Sequence, residues 1–185
     1  MLATGWAAMN VDFAELHPRF AAMRDYLDGL KGGHRMAALA DLDPRGFRDW
    51  LAFVNLIDVG LHQDALRFRF RLVGTAQSEA AQLSYEGRFI DEAVDPASRR
   101  RVIDDLSRVV ATCMPHYGRY GMPFPGRGFV DSERVFFPLS NDGRMVTCIL
   151  ALHRYPELES QSDGAFAAQA WHVDAWSRAM GNAAR

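Results

Sequence analysis

Between residues 66 and 73 the chain alternates with little interruption. Leu66, Phe68, Phe70 and Leu72 take one parity, and Arg67, Arg69 and Arg71 take the other. Side chains of a β-strand point to opposite faces with period two, so the pattern predicts a half-buried strand with four apolar residues on one wall of a core. Phe53 to Gly60 reads as a second strand, and the polar turn Leu61-His62-Gln63-Asp64 joins the two into a hairpin. Three more strands are expected later in the chain. His116 to Met122 is rich in aromatics and glycine, Phe129 to Leu139 in Val and Phe, and Arg144 to His153 is apolar at nearly every position. The last has the composition of a central strand, buried on both faces.

Helical spacing governs the rest. Phe13, Leu16, Phe20, Met23, Leu27 and Leu30 recur three and four apart, and Pro18 places the start of the main helix there because an interior proline removes a donor and clashes one turn back. Gly32-Gly33 ends it. Asp43-Pro44 and Asp95-Pro96 each pair an N-cap with proline at the first helical position, predicting a short helix over roughly 44–52 and a longer one after Asp95. On the longer helix Val102, Leu106, Val109, Val110 and Cys113 share one face, with Arg100, Arg101, Asp104, Asp105 and Arg108 assigned to the solvent side. Ala76 to Leu83 reads as a short helix, and Phe166, Trp171, Val173, Trp176 and Met180 belong to a final helix over roughly 164–180.

The order is hairpin, helical middle, amphipathic helix, then three antiparallel strands. It predicts an α+β domain built on a five-stranded antiparallel sheet with helices on one face. Residues 1–40 form an N-terminal leader and helix, 41–155 the domain, and 156–185 a C-terminal helical extension.

Composition narrows the classes. Twenty-one basic against 23 acidic residues leave a net charge of −2, which supplies no global field for nucleic acid. Two cysteines, Cys113 and Cys148, each inside an apolar segment, argue against a disulfide framework or a zinc cluster and for a reducing compartment. The N-terminus has no basic start followed by an apolar run, and no stretch approaches a membrane span, so a cytoplasmic location is expected.

The order β-β-α-α-α-β-β-β is that of a PAS domain, and local sequence strengthens the likeness. Asp41-Leu42-Asp43-Pro44, Leu56-Ile57-Asp58-Val59, the strand Phe68-Arg69-Phe70-Arg71-Leu72-Val73-Gly74-Thr75 and the hairpin Phe137-Pro138-Leu139-Ser140-Asn141-Asp142-Gly143 together resemble a bacterial PAS-like family. The resemblance spans roughly residues 18–153. It implies a sensory and interaction module whose curved sheet and helices enclose a pocket, with output through a protein partner and, as expected here, a homodimer. No cofactor is legible: the flavin-binding run is absent, and His116 matches the haem-binding histidine of some PAS domains poorly.

Strand phase and the resemblance together nominate Phe68, Phe70, Leu72, His116, Tyr120 and Phe137 as ligand-binding residues. The arginines of the opening strand suit anions, but a flat β-face without a phosphate loop favours salt bridges to a covering helix, through Asp25 or Asp28. Glu79, Glu86, Asp91 and Glu92 cluster in the helical middle. No catalytic motif is present, so no enzyme activity is expected. The alternative is a small α+β isomerase or hydrolase using the same cavity; a buried carboxylate or histidine with a hydrogen-bonded partner is the feature that favours it.

Overall fold

A computed structural model describes residues 11–81, 84–124, 128–156, 176, 179 and 180. Six strands form one sheet: β1 (Ala37–Ala38), β2 (Val54–His62), β3 (Ala65–Leu72), β4 (His116–Phe124), β5 (Gly128–Ser140) and β6 (Cys148–Arg154). Their spatial order is β1-β5-β6-β2-β3, with β4 also on β5. The long strand β5 divides one edge between two partners. Residues 128–136 pair antiparallel with β4, and Leu139 and Ser140 pair in parallel with β1. β1 is thus a two-residue addition to the five strands expected. Between β3 and β4 lie α2 (Thr75–Ala81), α3 (Ile90–Ala93) and α4 (Pro96–Thr112), preceded in the chain by α1 (Pro18–Leu30).

The start signals act as their chemistry predicts. Asp95 Oδ2 accepts from the amides of Ala97 and Ser98 at 3.1 and 3.3 Å, satisfying donors that the first turn of α4 leaves unpaired. Asp43 Oδ1 accepts from the Arg45 amide at 3.0 Å. The stretch it opens is a 3-10 segment, Pro44–Phe53, broken at Phe47 (φ −140°, ψ 30°), and not the short α-helix expected. The break lets Phe47 and Leu51 both reach the core. In the β2–β3 hairpin, Gln63 and Asp64 both have positive φ (49° and 63°), the geometry of a tight turn matched to strand twist.

Because β-strand side chains alternate, the sheet carries a core on each face. Leu56, Phe137, Leu139, Leu150 and Leu152 pack with Phe20, Met23 and Leu27 of α1, with Phe47 and Leu51, and with Trp176 and Ala179. Ile57, Phe68, Phe70, Phe136, Ile149 and Ala151 pack with Ile90 of α3 and with Val102, Leu106 and Val109 of α4. Among the described residues α1, the segment 44–53, Trp176 and Ala179 therefore cover one face, and α3 and α4 cover the other.

The alternation of β3 is broken where the sequence looks most regular. Ile57 pairs with Phe70 but its neighbour Leu56 pairs with Leu72, so Arg71 is an extra residue, a β-bulge. A one-residue insertion reverses the phase beyond it. Phe68 and Phe70 face α3 and α4, Leu72 faces the α1 side, and Leu66 stays 38% exposed at the far end. The single wall of four apolar residues expected from the sequence is therefore two residues long.

The outer edge of β3 is covered by its own downstream chain. The Phe70 amide donates to the Arg88 carbonyl at 3.0 Å, and the Gly87 amide donates to the Phe70 carbonyl at 2.7 Å. A bare edge strand would invite pairing with another chain.

Candidate functional site

The face of the sheet beneath α2–α4 has an apolar end and a polar end. Register places the polar residues in phase with buried apolar ones. Tyr120 pairs with Ser132, Gly118 with Arg134 and His116 with Phe136 across β4–β5, while Arg134 pairs with His153 across β5–β6. Asn55, opposite Ala151 on β6, belongs to the same face. Asn55, Ser132, Arg134 and His153 are all buried, and from the helical side so are Gln77 and Asp105. Buried polar groups are uncommon and need partners.

Asn55 organises one half. Its Oδ1 accepts from the Gly74 amide at 2.9 Å, and its Nδ2 donates to Gln77 Oε1 at 2.5 Å. The other Nδ2 hydrogen points at His153 Nε2, 3.0 Å away. Nε2 is then the acceptor, so Nδ1 carries the proton, and Nδ1 is buried without a partner among the described residues. The His153 ring stacks on Tyr155, with centroids 6.1 Å apart. Burial, reinforced by the Arg134 charge, pushes the imidazole well below the usual histidine range.

Linkage turns this into a testable pH dependence. An unfolded histidine binds a proton below about pH 6.5 while folded His153 stays neutral, so stability is full above that value and falls as pH drops toward the folded value. Between about pH 7.5 and pH 5.5 the protein is expected to lose ~1.4 kcal/mol more than a His153→Gln variant, read from urea unfolding midpoints. Equal losses would contradict a buried neutral His153.

Asp105 organises the other half. His116 Nε2 lies 2.9 Å from its Oδ1, and the Tyr120 hydroxyl donates to its Oδ2 at 2.5 Å. Burial alone would raise the Asp105 carboxyl, but the hydrogen bonds from His116 and Tyr120, with the charges of His116 and Arg101, outweigh it and hold the group below the usual carboxylate range. Tyr120 moves the opposite way, raised by burial and by the carboxylate it donates to. Two guanidiniums lie over its ring, Arg134 at 4.7 Å and Arg101 at 5.2 Å from the centroid. Asp105 thus joins α4 to β4. Its position also corrects its assignment to the solvent face: residues 102, 105, 106 and 109 share one helical stripe.

Arg134 is 9% exposed. Its Nε donates to Ser132 Oγ at 3.0 Å, and its other close contact is the Tyr120 ring. Among the described residues no carboxylate lies within ion-pair range of it.

Of the residues nominated from the sequence, Phe68, Phe70, His116 and Tyr120 share this face. Leu72 and Phe137 do not. The bulge at Arg71 turns Leu72 away, and Phe137 is out of phase with Phe136, so it stacks on Phe13 at 6.1 Å against the α1 side. There it borders a separate cavity of about 300 Å3, lined also by Arg24, Leu27, Lys31 and Arg35. The reading missed Asn55, Gln77, Asp105, Ser132, Arg134 and His153. A polar residue in phase with apolar neighbours on a central strand was the signal for three of them, Asn55, Arg134 and His153.

The arginines of β3 pair differently from expectation. Arg71 Nε donates to Asp58 Oδ1 at 2.5 Å and Arg69 reaches Asp58 Oδ2 at 3.1 Å. Arg67 pairs with Asp91 at 3.2 Å and with Glu92, and its guanidinium covers the Phe89 ring at 3.5 Å. The carboxylates come from β2 and α3, not from Asp25 or Asp28, because β2 is hydrogen-bonded to β3 and α3 follows the chain that covers its edge. The final helix expected over 164–180 lies mostly outside the described residues. Where it is described, the Ala179 carbonyl accepts from Arg71 Nη1 at 3.5 Å, and Trp176 meets Phe47 edge-on. Glu86 accepts from the Val73 amide at 3.3 Å; the side chain of Glu79 lies outside the described residues. Cys148 is fully buried and its thiol is pushed up to about 12, which makes it inert.

The class is that of an α+β domain: after the two-residue β1, two strands, a three-helix middle and three strands follow in the order expected, with α3 and α4 laid across one face of the sheet. Solved structures similar to it include the N-terminal domain of a diguanylate cyclase with PAS/PAC sensor from Marinobacter aquaeolei. That match has 12% identity and a TM-score of 0.43, over 58% of this chain and 99% of that one. Another is the PAS domain of a protein from Colwellia psychrerythraea, at 12% identity and a TM-score of 0.43 over 60% and 92% of the two chains. No family model and no curated protein matches the chain. Among the described residues no helix is long and apolar enough to cross a membrane, and no cluster of three or more His, Cys, Asp or Glu is placed to hold a metal.

Proposed function

We propose that the chain is a cytoplasmic sensory module that receives a small molecule between the sheet and α2–α4 and signals to a protein partner as a homodimer. The supporting observation is the tract Asn55–Gln77–His153–Arg134–Ser132, buried polar chemistry of a kind that a purely structural sheet face fills with apolar side chains. One end of the tract is tied to α2 through Gln77, and beside the other the Tyr120 ring under Arg134 carries the hydroxyl that donates to Asp105 of α4. A ligand shifts a conformational equilibrium only through differential affinity, and those ties are where occupancy acts on helix position. The output runs along β3 to the C-terminal extension, which touches Arg71.

Native mass spectrometry of protein purified from its host tests the reading. A dimer mass with a retained small molecule is expected; a bare monomer counts against both the dimer and a tightly held ligand.

A second reading has one observation in its favour. The Asp105–His116 pair is a buried carboxylate hydrogen-bonded to a histidine, the arrangement that general acid–base chemistry uses. Against it, both Asp105 oxygens are occupied, by His116 and Tyr120, and no serine, threonine or cysteine is hydrogen-bonded to His116 among the described residues. Incubating the retained molecule with fresh protein separates the two: an unchanged mass supports binding, and conversion supports an enzyme.

A further inference from the structure

The edge that β5 shares between β4 and β1 has a gap. Residues up to Phe136 pair with β4 and those from Leu139 pair with β1, so Phe137 and Pro138 pair with neither. Proline offers no N–H to such an edge, which discourages a strand from closing it. The cavity of about 300 Å3 lies at this gap. Its floor is apolar, built from Phe13, Leu27, Met36 and Phe137, all buried. Met114, on the connector from α4 to β4, also lines it and is 40% exposed.

The rim has a charge opposite in sign to that of the chain. Arg24, Lys31 and Arg35 line the cavity with one carboxylate, Asp28, whereas the whole chain has a net charge of −2. Arg24, Leu27 and Lys31 recur three and four apart on α1, which brings both cations to the apolar floor. Arg24 pairs with Asp25 at 2.6 Å and Lys31 with Asp28 at 2.5 Å. Arg35 donates to the Thr112 carbonyl at 2.8 Å and has no ion pair among the described residues, so the rim stays positive. None of the three is buried, and none demands a counter-ion. They supply a solvated field that draws acidic partners and turns basic ones away.

Resting on the reading that the module signals to a protein partner, we propose that this cavity docks an acidic segment of that partner, anchored by one aromatic or large aliphatic side chain. An open apolar pocket ringed by polar groups is the setting in which a single anchor carries most of the binding energy, and a methionine at its side adapts to the shape that enters. Carboxylates flanking the anchor meet Lys31 and the guanidinium fork of Arg35. Arg35 caps the last turn of α4 through Thr112, and α4 also carries Asp105, which holds His116 and Tyr120. A partner seated there therefore touches both α1 and the helix tied to the ligand face. The groove lined by Arg67, Arg69 and Arg71 is less suited, because Asp58, Asp91 and Glu92 already pair its arginines.

Fluorescence polarisation on the full chain tests this with three labelled short peptides. The first has a central Trp flanked by Asp and Glu; the second has Ala for Trp, and the third has Lys for the acids. The acidic Trp peptide is expected to bind at least about tenfold more tightly than either control. Combining Lys31→Glu with Arg35→Glu should reverse the preference between acidic and basic peptides, which loss of fold could not do. Met114→Glu should weaken the acidic Trp peptide while leaving the far-UV circular dichroism unchanged. Binding indifferent to charge, an Ala peptide that binds as well as the Trp peptide, or no binding by any peptide would each overturn the proposal. A dimer mass lost in the double variant would give the cavity to a second copy of this chain and overturn it too. Capture of the same host protein by the unmodified chain and by the double variant would overturn this surface and leave the partner reading standing. Capture by neither would count against the partner reading itself.

Discussion

Replacing Gly74 by alanine is expected to cost about 3 kcal/mol or more, a large share of the roughly 5–15 kcal/mol that holds a domain together. A Cβ at this position would lie 2.3 Å from the Ala52 carbonyl oxygen and 2.9 Å from that of Val54. Both obstacles are backbone, held where the 3-10 segment enters β2, and neither swings aside as a side-chain tip does. The same close approach lets the Gly74 amide reach Asn55 Oδ1. The alanine therefore strikes the scaffold and the Asn55–Gln77–His153 chain together. Urea unfolding followed by far-UV circular dichroism measures the loss; a midpoint equal to that of the unmodified protein would show that the chain there gives way.

Asp105→Ala is expected to have the next largest effect, about 3 kcal/mol at neutral pH. It removes the acceptor of two hydrogen bonds and leaves the Tyr120 hydroxyl buried without its partner. The pH dependence identifies the cause. Asp105 is held below its ordinary value, so its contribution is fully present above about pH 4 and is lost as pH falls through the lower folded value. The gap in stability between the two proteins should therefore narrow on acidification and stay constant from pH 5 upward as far as this group is concerned. A gap that persists undiminished at low pH would assign the loss to packing alone.

The sequence carried the architecture because the signals involved are local. Two Asp-Pro starts, a proline at Pro18, a glycine pair and alternating strands each constrain a few residues, and they agree with one another in the fold. The bulge at Arg71 left no such mark. Phe68-Arg69-Phe70-Arg71-Leu72 alternates without a break, and the insertion arises from pairing with β2, a tertiary fact. It moved Leu72 out of the candidate site. Phe137 was misplaced for a simpler reason: Phe136 and Phe137 are both buried, so apolar character alone gives no phase.

The polar half of the site was harder to read. His153 sits next to the end of β6, where polar residues ordinarily face water, and Arg134 lies mid-strand on β5, where Asp131 and Glu133 beside it make the segment read as a polar one. Asp105 follows Asp104 on α4, and the two look alike in sequence. One is buried against His116 and Tyr120, the other exposed, because 100° of helical rotation separates them. The helical stripe through Val102, Leu106 and Val109 already contained position 105, so its burial was open to derivation.

The central claim is that a small molecule is received beneath α2–α4 and not at either of the basic grooves elsewhere on the chain. Two-dimensional amide NMR of the full chain, with and without the molecule retained in native mass spectrometry, tests it most directly. The account predicts shifts centred on Asn55, Tyr120, Arg134 and His153, spreading to Gln77 and Asp105 on the covering helices. Shifts confined to the Arg67–Arg69–Arg71 groove, or to the cavity beside Arg24, Lys31 and Arg35, would contradict it.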